Sequence, residues 1–223
     1  MGDSDFRVRA ARRKRERMRA RLLDATMDVC GRVGPGQQAV IDDVIRAADV
    51  SRGTFYKYFA SLDEARRALG QHLTNELVDS VGAMFAEVAD PVQRTAAGWI
   101  LIMARAVGHP AWGAFVVRTE QFNEDSQLLA AIRRNTTAGQ QAGFFRIDHL
   151  DAAIDFQMGV ALEAMRHLLR DPSDAADYIL ATTTIGLRGL GLPHGHAVRS
   201  ARAAMEDVAA RAPRFLPWWR PLD

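Results

Sequence analysis

Apolar residues recur at three- and four-residue intervals along nearly the whole chain, and no stretch alternates apolar and polar residues as a half-buried strand would. That periodicity restricts the chain to an all-α fold. Met18, Leu22, Ala25, Val29 and Val33 form one such stripe and predict a helix over 12–33, ended by Gly34-Pro35-Gly36. Ile41, Val44, Ile45 and Ala48 form a second over 41–48, and a third short helix follows over 52–59. Ser61-Leu62-Asp63-Glu64 has the form of a capping box and opens a long helix reaching residue 89. Asp90-Pro91 restarts the chain and His109-Pro110 breaks it again. Helices are then expected over 126–141, 151–170, 173–190 and 197–212, before a tail rich in proline and tryptophan.

The chain has 223 residues, 48 % of them hydrophobic, which is ample for a packed core in one or two domains. No run of about 18 uncharged apolar residues occurs, so no membrane-spanning helix is expected. The charged N-terminus lacks a signal peptide's apolar core, and Cys30 is the only cysteine; a cytoplasmic protein without disulfides is the expectation. Cys30 sits among Met27, Val29 and Val33, which suits a buried structural thiol better than a nucleophile. The net charge of +2 is unevenly spread. Residues 1–21 carry nine basic and three acidic side chains, a local charge of +6, which leaves −4 for the other 202. Such an arm fits a polyanionic partner, and equally a solvated tail.

Two short helices joined by a tight turn make a helix-turn-helix. Asp49-Val50 is the joint, and Ser51 is placed to cap the second helix by accepting the Thr54 N–H. Phe55 and Phe59, four apart, turn inward with Val44, Ala48 and Val50, which leaves Arg52, Thr54, Tyr56 and Lys57 outward. Each of these can hydrogen-bond a phosphate or a base edge, and Gly53 permits close backbone approach.

The run from Asp42 to Phe59, and above all Val50-Ser51-Arg52-Gly53-Thr54-Phe55-Tyr56 with Phe59, resembles the N-terminal domain of the TetR family of transcriptional regulators. The resemblance implies a DNA-binding domain over 1–60 and a helical ligand-binding and dimerisation domain over 61–223. It implies DNA contacts by Ser51, Arg52, Gly53, Thr54, Tyr56, Lys57 and Tyr58. The chain departs from the family pattern at three places. Ala39-Val40 stands where a threonine usually caps the first helix and touches phosphate. Asp49 replaces the usual turn glycine, and tolerates left-handed geometry better than most residues. Leu62 replaces the lysine that usually opens the next helix.

The family reading also implies a homodimer on a palindromic operator in double-stranded DNA, joined through the helices at 151–170 and 173–190. Gly159, Ala161, Ala164, Ala181, Gly186 and Gly189 would allow close approach there, with Val160, Met165, Leu168, Ile179, Ile185 and Leu187 supplying apolar surface. Large apolar residues in the middle helices fit either core or an inducer cavity. The cavity reading assigns Trp99, Met103, Trp112, Phe115, Phe122 and Phe156 to a small hydrophobic ligand, with Arg105, Gln121 and Gln157 as polar contacts. No cofactor and no metal are expected, because His194-Gly195-His196 lacks a completing cysteine or carboxylate cluster. Three rivals remain open: an architectural DNA-binding protein without ligand response, a helical adaptor with a vestigial helix-turn-helix, and a helical enzyme. The last finds neither a Gly-x-Ser-x-Gly elbow nor a phosphate-cradling glycine loop.

Overall fold

The structure, a computed structural model, describes residues 2–33, 38–86, 88–119 and 127–222, with backbone alone at 2–8 and 119. Among these residues there are ten helices and no strand. The expectations on Gly34-Pro35-Gly36, Gln121, Phe122 and Ser126 lie outside the described residues. The chain divides into two compact units, Met1–His72 and Leu73–Asp223.

In the first unit, α1 (Gly2–Arg32) begins ten residues before the expected start. Nothing interrupts it there: residues 7–17 are mostly arginine and alanine, both strong helix formers. Its buried side is Leu22, Leu23, Ala25, Thr26 and Cys30. Helix α2 (Ile41–Ala47) packs on α1, and α3 (Arg52–Tyr56) packs on α2. Helix α4 (Leu62–Met84) starts in a capping box. Ser61 Oγ accepts the Glu64 N–H at 3.1 Å, and Glu64 Oε2 accepts the Ala60 N–H at 2.6 Å. The boundary between the units falls inside α4, twelve residues past the expected one at 60/61.

The second unit is built about α5 (Pro91–Gly108), which is buried along most of its length. Pro91 occupies the first turn, and Asp90 caps it by accepting the Val92 N–H at 2.8 Å. Helices α6 (Pro110–Thr119), α7 (Gln127–Gln141), α8 (Leu150–Arg170), α9 (Ala175–Gly189) and α10 (His194–Phe215) all pack on α5. Close packing of α9 on α5 depends on Gly186: a Cβ there would come within 2.3 Å of the Trp99 ring. His194-Gly195-His196, ahead of the helix expected at 197, already forms the first turn of α10. Pro213 sits within the last turn of α10, where its missing N–H removes a single helix bond. The tail then returns to α5, where the His109 ring nitrogen Nε2 meets the Trp218 carbonyl at 2.8 Å.

Candidate functional site

The helix-turn-helix is built by short-range rules. Ala48 closes α2, and Asp49 takes the left-handed conformation, φ 49°, that the joint requires. Ser51 is extended; its Oγ accepts the Thr54 N–H at 3.1 Å and lies 2.9 Å from the Thr54 hydroxyl. Phe55 and Phe59 are buried with Val44 and Ala48. On the opposite side Ser51, Arg52, Gly53, Tyr56 and Lys57 are exposed, while Thr54 and Tyr58 are half-buried. All seven expected contact residues therefore lie on or beside one short helix. Val40, at the N-cap of α2, offers no side-chain cap and leaves an apolar surface 52 % exposed.

Three ion pairs on this unit were not foreseen from spacing. Arg52 meets Asp42 at 2.5 Å across the two motif helices. The hydrogen bond to Asp42 raises the Arg52 pKa above its already high ordinary value, so the group is a fixed cation. Arg21 reaches the Asp49 carboxylate at 3.3 Å, and Arg46 reaches Asp43 at 3.3 Å. The carboxylates of Asp42, Asp43 and Asp49 are thus partly neutralised by neighbouring guanidinium groups. Along the arm, residues 9–17 are exposed on every side of the helix, with Arg12 paired to Glu16 at 2.8 Å.

The second unit holds a cavity of about 520 Å³ between α4, α5, α7 and α8. Its walls are mainly apolar, with Leu77, Val81 and Phe85 from α4 and its end, Trp99 and Ile102 from α5, and Met158 from α8. Gly98 faces it with open space: a Cβ there meets nothing within 4 Å. Of the expected apolar ligand residues that are described, only Trp99 lines this cavity. Met103, Trp112 and Phe115 are buried elsewhere in the core, and Phe156 is 38 % exposed with its ring over Gly189. Gln157 lines the cavity, whereas Arg105 does not.

Arg105 serves the core instead. It is 5 % exposed, pairs with Glu76 at 2.7 Å, and has its guanidinium carbon 4.8 Å from the ring centres of both Trp112 and Trp218. The sandwich of a cation between two indoles is a strong attraction in a site closed to water. It joins α4, α5, α6 and the tail.

The proposed dimer helices also sort differently from their sequence pattern. Ala161, Ala164, Met165, Leu168, Ile179, Gly186 and Leu187 are buried within the unit, so they belong to its own core. Phe156, Gly159, Ala181, Ile185 and Gly189 remain exposed on α8 and α9. A single-sequence stripe cannot separate these two sides, because both are apolar. Among the described residues, no group of three or more His, Cys, Asp or Glu could hold a metal ion. No single described helix is long and apolar enough to cross a membrane.

This arrangement, a capped helix-turn-helix unit followed by a helical unit with an internal cavity, is the fold of TetR-family transcription regulators. No family model matches the sequence, and no curated protein matches it. Among solved structures, RolR bound to resorcinol is similar at a TM-score of 0.66, 22 % identity, and coverage of 85 % of this chain and 95 % of that one. A TetR-family regulator from Shewanella sp. PV-4 is similar at 0.67 and 18 %, covering 79 % and 99 %. FadR from Bacillus halodurans, a regulator of fatty acid degradation, is similar at 0.65 and 19 %, covering 77 % and 98 %. At these identities the likeness establishes the fold, and the neighbours are regulators of transcription.

Proposed function

We propose that this chain is a TetR-like DNA-binding transcriptional regulator, a repressor released from a palindromic operator when a small apolar or aromatic ligand fills the cavity, and not an enzyme. The observation that carries the reading is the exposed polar face of α3, set by a capped turn whose one left-handed residue is Asp49. Arg52, Tyr56 and Lys57 offer a guanidinium, a phenol and an ammonium on one side of a buried Phe55. That combination suits phosphate and base edges in a major groove. One such helix reads few base pairs, so two copies on two half-sites are needed. The exposed Phe156 and Ile185 on α8 and α9 favour those helices as the dimer face.

The cavity favours a ligand-responsive regulator over an architectural protein, which would have a filled core. RolR, of the same fold, is known with resorcinol bound. A ligand acts by binding the DNA-free arrangement more tightly than the DNA-bound one. The test is fluorescence anisotropy of the full chain on a selected duplex and on unrelated duplexes. Tyr56→Ala and Lys57→Ala should weaken both similarly if they hold phosphate, while a base-reading residue relaxes preference at one position. Unchanged binding by an Arg52, Tyr56 and Lys57 triple alanine variant contradicts the assignment.

A further inference from the structure

We propose that the cavity is selective for an organic anion: a ligand with an apolar body and a carboxylate held by Arg134. This rests on the reading of the cavity as a ligand site and adds the chemistry it selects. Among the described residues, twenty-one line the cavity; two of these are arginines and none is acidic. Three other polar side chains on the wall already have protein acceptors. Asn135 Nδ2 donates to Thr95 Oγ1 at 2.5 Å and to the Pro91 carbonyl at 3.1 Å. Gln157 Nε2 donates to Thr136 Oγ1 at 2.9 Å and to the Ala153 carbonyl at 3.2 Å. Arg94 donates to the carbonyls of Val88 and Phe85.

Arg134 differs from all of these. Among the described residues it has no hydrogen bond and no ion pair, although its neighbour Arg133 pairs with Asp151 at 2.6 Å. Among the described residues the wall therefore ends in one cation, Arg134, with no protein acceptor, beside a mainly apolar hollow of about 520 Å³. A neutral apolar ligand leaves that guanidinium to water. A carboxylate accepts from it in the bidentate geometry that arginine favours, while the body of the ligand reaches Trp99 and Ile102. Arg94, with its remaining N–H groups, adds a second positive charge to the same wall.

The experiment is calorimetric titration of the full chain with two matched pairs, decanoate against 1-decanol and 2-naphthoate against 2-naphthol. At least one carboxylate should bind more tightly than its alcohol. Arg134→Gln should weaken that carboxylate about 10- to 100-fold, the range for a lost charge-assisted hydrogen bond, and leave the alcohol unchanged. Arg134→Lys should recover part of the loss, and Arg133→Gln should behave as the parent. Because Arg134 is exposed on α7, these variants fold. If the alcohols bind as well as the carboxylates, or Arg134→Gln weakens both alike, anion selectivity is overturned while the cavity stands as a ligand site. If neither member of either pair binds, the proposal falls together with the cavity reading beneath it.

Discussion

Glycine substitutions on the two helices that meet at Trp99 give opposite results, and their signs follow from the space at each Cβ. Gly98 lies inside α5 and faces the cavity, where an added Cβ meets nothing within 4 Å. Gly98→Ala therefore gains helix propensity at no steric cost, about 0.5–1 kcal/mol. Gly186, in α9, has Trp99 Cζ3 at 2.3 Å and Cη2 at 2.5 Å from the same added atom. Trp99 is 6 % exposed, so its ring can yield only toward the cavity it borders, at the cost of its present packing. Gly186→Ala has the same helix gain but overpacks the contact by about 1–3 kcal/mol, a net loss of about 1 kcal/mol. For a domain of this size 1 kcal/mol shifts Tm by about 2–4 °C. Thermal unfolding followed by circular dichroism should show Gly98→Ala above the parent by about 1–4 °C and Gly186→Ala below it by a similar amount. Gly98→Leu should keep the fold and narrow the cavity, weakening ligand binding while leaving DNA binding intact. Equal shifts for the two alanine variants, or a fall in Tm for Gly98→Ala, would refute the packing argument.

Other consequences can be measured in the same way. Deleting residues 1–15 should weaken DNA binding and flatten its dependence on salt, if the exposed cations of the arm release counterions; an unchanged slope sinks that role. Partial desolvation first, then the nearby Asp28 carboxylate, raises the Asp24 pKa above 3.8 against a smaller lowering by His72. Its ionisation therefore opposes folding once the pH exceeds that value, so Asp24→Asn should raise Tm at about pH 7 and change little near about pH 3. Glu76→Ala strands the buried Arg105 guanidinium and should cost about 1–3 kcal/mol, whereas replacing both with leucine and methionine should cost less.

What could be read from the chain alone was what depends on near neighbours. The cap of Ser51 on Thr54, the inward Phe55 and Phe59, and the tight joint at Asp49 are all set within a few residues, and each was legible. The Arg52–Asp42 pair was not, because it needs the two motif helices brought together across a turn. Helix α4 stops at Met84 rather than 89, where Phe85 and Val88 present carbonyls to Arg94 before α5 is capped by Asp90. Periodicity marked Trp99, Met103, Trp112 and Phe115 alike as buried. It carries no information on which of them borders a void, and only Trp99 does. Arg105 resembled a pocket residue for the same reason; its two tryptophan neighbours lie far apart in sequence, in α6 and the tail.

Sequence-selective DNA binding through α3 is tested most directly by selection of bound duplexes from a random pool by the full chain, followed by sequencing. The expected result is enrichment of a palindrome whose half-sites lie about 34–36 Å apart or a multiple of that, lost when Arg52, Tyr56 and Lys57 are replaced together by alanine. Recovery of no sequence preferred over the starting pool, or a preference that survives that replacement, would contradict it.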